Sequence, residues 1–187
     1  MKSKDELRHE IRLKRAELTL RWIDESSRAA VAFLRELDLF QNAETIACFL
    51  SKPFEVQTQP FIERCLTEGK RVCVPRNVES HLGYEWSWIR PGDAWRDGPW
   101  RIAEPAHYMP VDDKEIDLAI VSAVAVDRQG NRLGHGGGNY DRLLQRVTGT
   151  HLALIFDFQR VDEVPVEPHD IPVNRVVTET GAYSVRS

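Results

Sequence analysis

The sequence predicts an α/β fold: a mostly parallel sheet with helices on both faces, a Rossmann-like layered single domain over residues 1–187. Three observations point there. Short continuous apolar runs of strand length recur at Thr45-Ile-Ala-Cys-Phe-Leu50, Ile116-Asp-Leu-Ala-Ile-Val121 and His151-Leu-Ala-Leu-Ile-Phe156. Such runs mark strands buried on both faces, as parallel strands are. Segments of helical period separate them. The order strand, helix, strand over residues 45–75 is a β-α-β unit, which implies a parallel pair joined by a right-handed crossover.

Taken in order, Lys4 to Leu18 reads as a helix with Leu7, Ile11 and Leu18 on one stripe. Asp24 is suited to cap a second helix through Val31, Leu34 and Leu37. After the strand at residues 45–50 comes a loop, then a helix from Gln59 to Thr67 that Gly69 stops. Arg71-Val-Cys-Val-Pro75 is the next strand, and Tyr84 to Ile89 alternates like a strand with one solvated face. Residues 91–110, with Gly98, Pro99 and Pro105, form the least regular stretch, either a functional loop or an edge connection. A helix from Tyr140 to Val147 follows the glycine-rich segment, and Arg175 to Thr178 reads as a short final strand.

Composition removes several classes. With 42% hydrophobic and 29% charged residues the chain is neither disordered nor fibrous. A net charge of −4 lacks the basic excess of a nucleic-acid binder. No apolar run approaches the roughly 20 residues that span a bilayer, and the charged N-terminus lacks the apolar core of a secretory signal. The odd number of cysteines, Cys48, Cys65 and Cys73, includes no C-x-x-C pair. This argues for a reduced, cytoplasmic protein without structural zinc. A small-molecule substrate and a monomer or weak homodimer are the expected partners.

Four glycines, Gly134, Gly136, Gly137 and Gly138, fall within five residues between a buried strand and a helix. Glycine permits positive φ and lets backbone amides approach a ligand closely. With the following helix start and the guanidinium donors Arg132 and Arg142 on either side, the segment is suited to an anion. A tight strand-to-helix turn would need one or two glycines rather than four. The spacing matches neither G-x-x-x-x-G-K-[ST] nor a full G-x-G-x-x-G, because Asn139 stands where the last glycine would be. Asp141 is suited either to Mg²⁺ beside a phosphate or to the dipole of the first helical turn.

Arg132-Leu-Gly-His-Gly-Gly-Gly-Asn-Tyr-Asp-Arg142 resembles the R-x-G-x-G-x-G-Y-Y-D-R signature of the 5-formyltetrahydrofolate cyclo-ligase family. Further segments are similar to that family in the same order: Lys4-Asp-Glu-Leu-Arg8, Phe49-Leu-Ser-Lys-Pro-Phe-Glu-Val-Gln-Thr58, Gly69-Lys-Arg-Val-Cys-Val-Pro75, Glu104-Pro105, Asp117-Leu-Ala-Ile-Val121 and Val164-Pro-Val-Glu-Pro-His-Asp170. The resemblance implies an ATP- and Mg²⁺-dependent ligase that converts 5-formyltetrahydrofolate to 5,10-methenyltetrahydrofolate with release of ADP and phosphate. The formyl oxygen is first phosphorylated, and N10 then closes the ring.

The roles it implies are specific. Lys4, Arg8, Arg132, Leu133, Gly134, His135, Gly136, Gly137, Gly138, Asn139 and Tyr140 would contact ATP. Leu50, Glu55, Trp100 and the stretch from His135 to Asn139 would border the folate. Asp141 and Asp170 would hold Mg²⁺, and Arg132 and Arg142 would be the catalytic pair that neutralises transferring charge. Neither His135 nor His169 is assigned as a catalytic base. The chain departs from the family pattern at Asn139, where an aromatic is typical, at Ser122, where a proline is, and at Val126, where a phenylalanine is. Two alternatives follow: a paralogous ATP-dependent enzyme on another formyl or amide substrate, and a non-catalytic folate- or nucleotide-binding protein.

Overall fold

Ser3 accepts from the Glu6 N–H and the Glu6 carboxylate accepts from the Ser3 N–H, a reciprocal cap that starts α1 (Lys4–Ala16). The computed structural model describes residues 2–79, 83–99 and 102–185. Leu7 and Ile11, one turn apart, are the buried face of α1. The helix ends before Leu18, which leaves the predicted stripe and packs against the main core.

α2 (Leu20–Glu36) begins earlier than the sequence suggests, because Thr19 is extended and its hydroxyl accepts from the Trp22 N–H at 3.2 Å. Asp24, the expected cap, lies inside the helix and pairs with Arg28 on the exposed face at 2.6 Å. A short α3 (Asp38–Asn42) places Phe40 against the core. Then come β1 (Thr45–Cys48), α4 (Gln59–Thr67), β2 (Arg71–Val78) and β3 (Gly83–Ile89).

Residues 91–110 are not wholly irregular. They contain a small antiparallel hairpin, β4 (Trp95–Asp97) with β5 (Ala103–Pro105). Arg76 of β2 holds its end, donating to the Pro105 and Ala106 carbonyls at 3.1 and 3.2 Å. Three-residue strands leave too short an alternation to be seen in sequence. The chain continues through β6 (Leu118–Val121), the hairpin β7 (Ala125–Val126) and β8 (Arg132–Leu133), α5 (Asn139–Leu144), β9 (Thr150–Leu154), β10 (Arg175–Thr178) and β11 (Gly181–Ser184). β10 is therefore not the last strand. β11 pairs antiparallel with it and is half-exposed, without an apolar run to announce it.

The sheet has the order β11-β10-β9-β6-β1-β2-β3. β10, β9, β6, β1 and β2 run parallel, and β11 and β3 close the two edges antiparallel. Alternate side chains divide the core. Ile46, Cys48, Val72, Val74, Leu118, Ile120, Leu152 and Leu154 face α2, α3 and α4, whereas Ala47, Cys73, Ala119, Val121 and Ala153 face α5 through Leu143 and Leu144. Helices thus cover both faces, as predicted. α1 packs instead against the β7–β8 hairpin, with Leu7 and Ile11 on Val124, Ala125 and Leu133. No helix among the described residues is long and apolar enough to cross a membrane.

α5 is shorter than expected. It ends at Leu144 in tighter turns, with Arg146 N–H donating to the Leu143 carbonyl and Val147 N–H to Leu144. Gly149 then passes so close to the start of β6 that a Cβ there would lie 2.2 Å from the Ile116 carbonyl oxygen. Gly149→Ala must push the two segments apart and should destabilise the protein by roughly 1–3 kcal/mol. Urea unfolding would register this as a lower midpoint at unchanged slope.

Candidate active site

The site is built at the carboxyl ends of β1 and β6, where open parallel sheets gather ligands. After β6 the chain enters the β7–β8 hairpin, whose turn is tied down by buried Asp127. Its carboxylate accepts from the Gln129 and Asn131 N–H groups at 2.9 and 3.0 Å, and from the Val164 N–H at 3.0 Å. This fixes β8 and delivers Arg132 inward.

Arg132 has a side chain only 1% exposed, and its Nη2 meets Asp141 Oδ1 at 2.6 Å. Its guanidinium also stands 5.7 Å over the Tyr140 ring. Nε of Arg132 is buried and has no hydrogen-bond partner. A buried guanidinium with an unused donor is an attraction for an anionic oxygen, since leaving that group unmatched is costly.

Between Leu133 and α5 runs the glycine loop. Two of its four glycines need their freedom: Gly136 at φ 100° and Gly138 at φ 62°, where Gly138 is the left-handed entry to α5. With only six residues, α5 contributes less dipole than the longer helix expected from sequence. Arg142 turns back on the loop and bonds the Asn139 side chain. On the other flank, Arg8 of α1 donates to the Gly134 carbonyl at 3.1 Å, and its guanidinium lies against Gly136.

One turn earlier on α1, Lys4 bonds Asp170 at 2.7 Å and Glu167 at 3.1 Å. Burial opposes the Asp170 charge, but the Lys4 ammonium and the Glu167 N–H outweigh it and hold its carboxyl below the usual range. The Ile171 N–H donates to Asp141 Oδ1 at 3.2 Å, so Asp141 and the residue-170 loop are joined. Among the described residues, the three groups able to share one ion are Glu167, His169 and Asp170, all within 4.8 Å.

The loop roofs a cavity of about 610 Å³, a size suited to a drug-sized organic ligand. Leu50, Lys52 and Glu55 form one wall, Pro75, Tyr84, Ile102 and Glu104 another, and Ser122, Arg132 and Tyr140 the floor. The same glycines border a smaller hollow of about 310 Å³ with Asp141, Arg142, Gln145 and His169. Glu55 is 4% exposed. One of its oxygens accepts from the Lys52 N–H at 2.9 Å, and the other faces His135 Nε2 at 3.4 Å. Burial works against its charge, yet these two contacts and nearby Arg15 hold it below the usual carboxylate range. Burial likewise pushes the Tyr140 phenol up, so that it stays neutral.

Of the residues expected from sequence, Leu50, Glu55, Arg132, Tyr140, Asp141 and the loop from Gly134 to Asn139 meet at the cavity. Arg8 reaches it through Gly134, whereas Lys4 bonds Asp170 and neither of these two lines the cavity. Leu133 is buried beneath, packed with α1. Trp100 lies outside the described residues. Lys52, Pro75 and Glu104 fall within the family-like motifs and Ser122 directly follows one, which is the signal in the sequence for their place at the cavity. Tyr84, Ile102 and Gln145 carry no local signal, because only the sheet and the hairpin bring them in.

Fold and site together define an α/β enzyme scaffold in which a glycine loop borders a largely apolar cavity. The chain belongs to the 5-formyltetrahydrofolate cyclo-ligase family, whose model matches residues 1–179. It is 34% identical to the 5-formyltetrahydrofolate cyclo-ligase of Escherichia coli over 181 residues, which covers 92% of this chain and 98% of that one. It is 32% identical to the protein of the same name from Mycolicibacterium smegmatis, over 73% and 74% of the two chains. A solved structure of 5,10-methenyltetrahydrofolate synthetase from Aquifex aeolicus superposes with a TM-score of 0.87 at 30% identity, covering 98% of this chain and 93% of that one.

The Arg132–Asp141 pair is open to a double-mutant cycle. Arg132→Met strands a largely buried carboxylate and should destabilise the fold by about 3 kcal/mol. Adding Asp141→Asn should restore much of that loss, since the uncompensated charge is gone. Denaturant melts of the four proteins would measure both.

Proposed function

We propose that this cavity converts 5-formyltetrahydrofolate and ATP to 5,10-methenyltetrahydrofolate, ADP and phosphate. The observation that carries the reading is that buried Arg132 and buried Glu55 line one cavity, under one glycine loop. An anion and a ring rich in N–H donors can therefore meet there.

The chemistry explains why both are needed. An N5-formyl group is an amide whose oxygen leaves poorly. Attack of that oxygen on the γ-phosphorus expels ADP and makes an iminium phosphate. N10 then adds to the formyl carbon and loses its proton, and the C–O bond breaks to release phosphate carrying the former formyl oxygen. The second attack is within one molecule, so correct positioning supplies several kcal/mol of its barrier.

In this reading Glu55 accepts from the N–H edge of the pterin, while Leu50 and Tyr84 give the ring an apolar bed. The loop amides, Arg132 and Arg142 neutralise the transferring phosphoryl group, which is most of what a protein contributes to such a step. Arg8 holds the loop from the α1 side, and Lys4 lies at its outer rim. Asp141 and Asp170 are the carboxylates that would hold Mg²⁺. The donor set fits: on each, one oxygen is engaged by the protein and the other has no hydrogen-bond partner among the described residues. Bound Mg²⁺ supplies further neutralisation of the phosphate oxygens.

A cytoplasmic setting suits the three cysteines, which are free and buried. Asn139 favours a second reading. Its amide is bonded to Arg142 and forms part of the cavity wall, a polar surface that would suit a different formyl or amide substrate.

Purified protein mixed with 5-formyltetrahydrofolate and MgATP should form the methenyl product, followed by its absorbance, with one ADP and one phosphate per turnover. No ATP-dependent product would overturn the proposal. ATP turnover on another formyl compound alone would favour the second reading, and folate binding without turnover a non-catalytic role. Asp141→Asn should lower kcat by about 100-fold or more, while circular dichroism shows an intact fold.

A further inference from the structure

His135 sits between two glycines of the loop, yet its ring reaches across the cavity to Glu55 on the opposite wall, 80 residues away in the chain. The two ends of this contact differ in character. Glu55 is rigid: a turn closes from its N–H to the Lys52 carbonyl at 3.1 Å, its Oε2 is taken by the Lys52 N–H, and Gln57 donates to the Lys52 and Glu55 carbonyls at 3.0 and 2.7 Å. His135 is loose, with its side chain 48% exposed and its nitrogen 3.4 Å from Glu55 Oε1, at the long end of a hydrogen bond. The oxygen that His135 covers has no other hydrogen-bond partner among the described residues and is the freer of the two to accept from a ligand in the cavity.

We propose that His135 is a positioning residue: it occupies Glu55 in the free protein and must yield that oxygen to the substrate, which frees the roof loop as the substrate enters. The proposal rests on the reading that a ligand with N–H donors binds at Glu55. Once His135 lets go, the Arg8 bond to Gly134 is what still ties this part of the loop to its surroundings. The glycines at 134, 136 and 137 lend little side-chain resistance to its movement over a phosphate.

Competition of this kind depends on pH. Imidazole in general gains its charge within the range pH 5–8. A charged His135 holds the Glu55 carboxylate more strongly than a neutral one and so opposes ligand entry at low pH. The other groups facing Glu55 are Lys52 on its own loop, Arg15 from α1 and Tyr140 from α5. Lysine and arginine in general stay charged between pH 6 and 8, and burial keeps the tyrosine neutral. Imidazole is thus the one kind of side chain in this set that in general changes charge in that window.

The test is the affinity of the intact protein for 5-formyltetrahydrofolate, measured by tryptophan fluorescence at pH 6, 7 and 8 without nucleotide. Wild-type binding should weaken roughly three- to tenfold from pH 8 to pH 6. His135→Ala should flatten that dependence and bind at pH 6 more tightly than the wild type. His135→Gln, which keeps a donor but cannot titrate, should also bind independently of pH. An unchanged pH slope in both variants would overturn the role of His135. Absence of wild-type binding at every pH would instead overturn the folate reading beneath it.

Discussion

The buried Arg132–Asp141 ion pair is the constraint on which the site depends. It closes the glycine loop at both ends, since Arg132 precedes the loop and Asp141 follows it. Asp141 also receives the Ile171 N–H, so β8, α5 and the residue-170 loop converge on one carboxylate. A pair taken this far from water gains little net stability over an apolar substitute, yet breaking it is expensive. What it contributes here is geometry. With its ends pinned, the loop has few conformations left, and Gly136 and Gly138 take the positive φ values that only glycine adopts readily.

α1 adds the other half of the enclosure. Its apolar stripe docks on the β7–β8 hairpin, and the next residues round the helix, Lys4 and Arg8, are thereby aimed at Asp170 and Gly134. Packing and charge are therefore coupled: the burial of Leu7 and Ile11 orients two cations that neither residue touches. The cavity below has a similar division of labour. Apolar surface from Leu50, Pro75, Tyr84 and Ile102 gives it volume, while Glu55, Glu104 and Arg132 are held in place by contacts within their own walls. Such groups need not reorganise when a ligand arrives, which is how a folded protein makes electrostatic contacts stronger than water does.

The central strands are legible in the sequence because they are buried on both faces and read as apolar runs. The helix Gln59–Thr67 is legible to the residue, from its period and from the glycine that stops it. The misses have equally physical causes. Thr19 outcompetes Asp24 as a cap because the chain is extended at Thr19, a backbone fact that composition does not carry. The β4–β5 hairpin and β11 are too short to impose a pattern, and α5 gives way after Leu144 to tighter turns that the sequence does not announce.

For the site, the glycine density between Arg132 and Asp141 marks the loop that borders the cavity, because four glycines in five residues are a local property of the chain. Together with the ordered motifs around it, this suffices to indicate the family. What no local property contains is which distant side chains meet. His135 finds Glu55 across 80 residues because the strand order β9-β6-β1-β2 sets the loops after β1 and β6 side by side, and Lys4 finds Asp170 across 166 with α1 docked on the β7–β8 hairpin. Periodicity determines that strands and helices exist and which face they bury. Only the packed sheet decides which carboxylate a loop histidine reaches, because that contact is set by the spacing of strands in three dimensions and not along the chain.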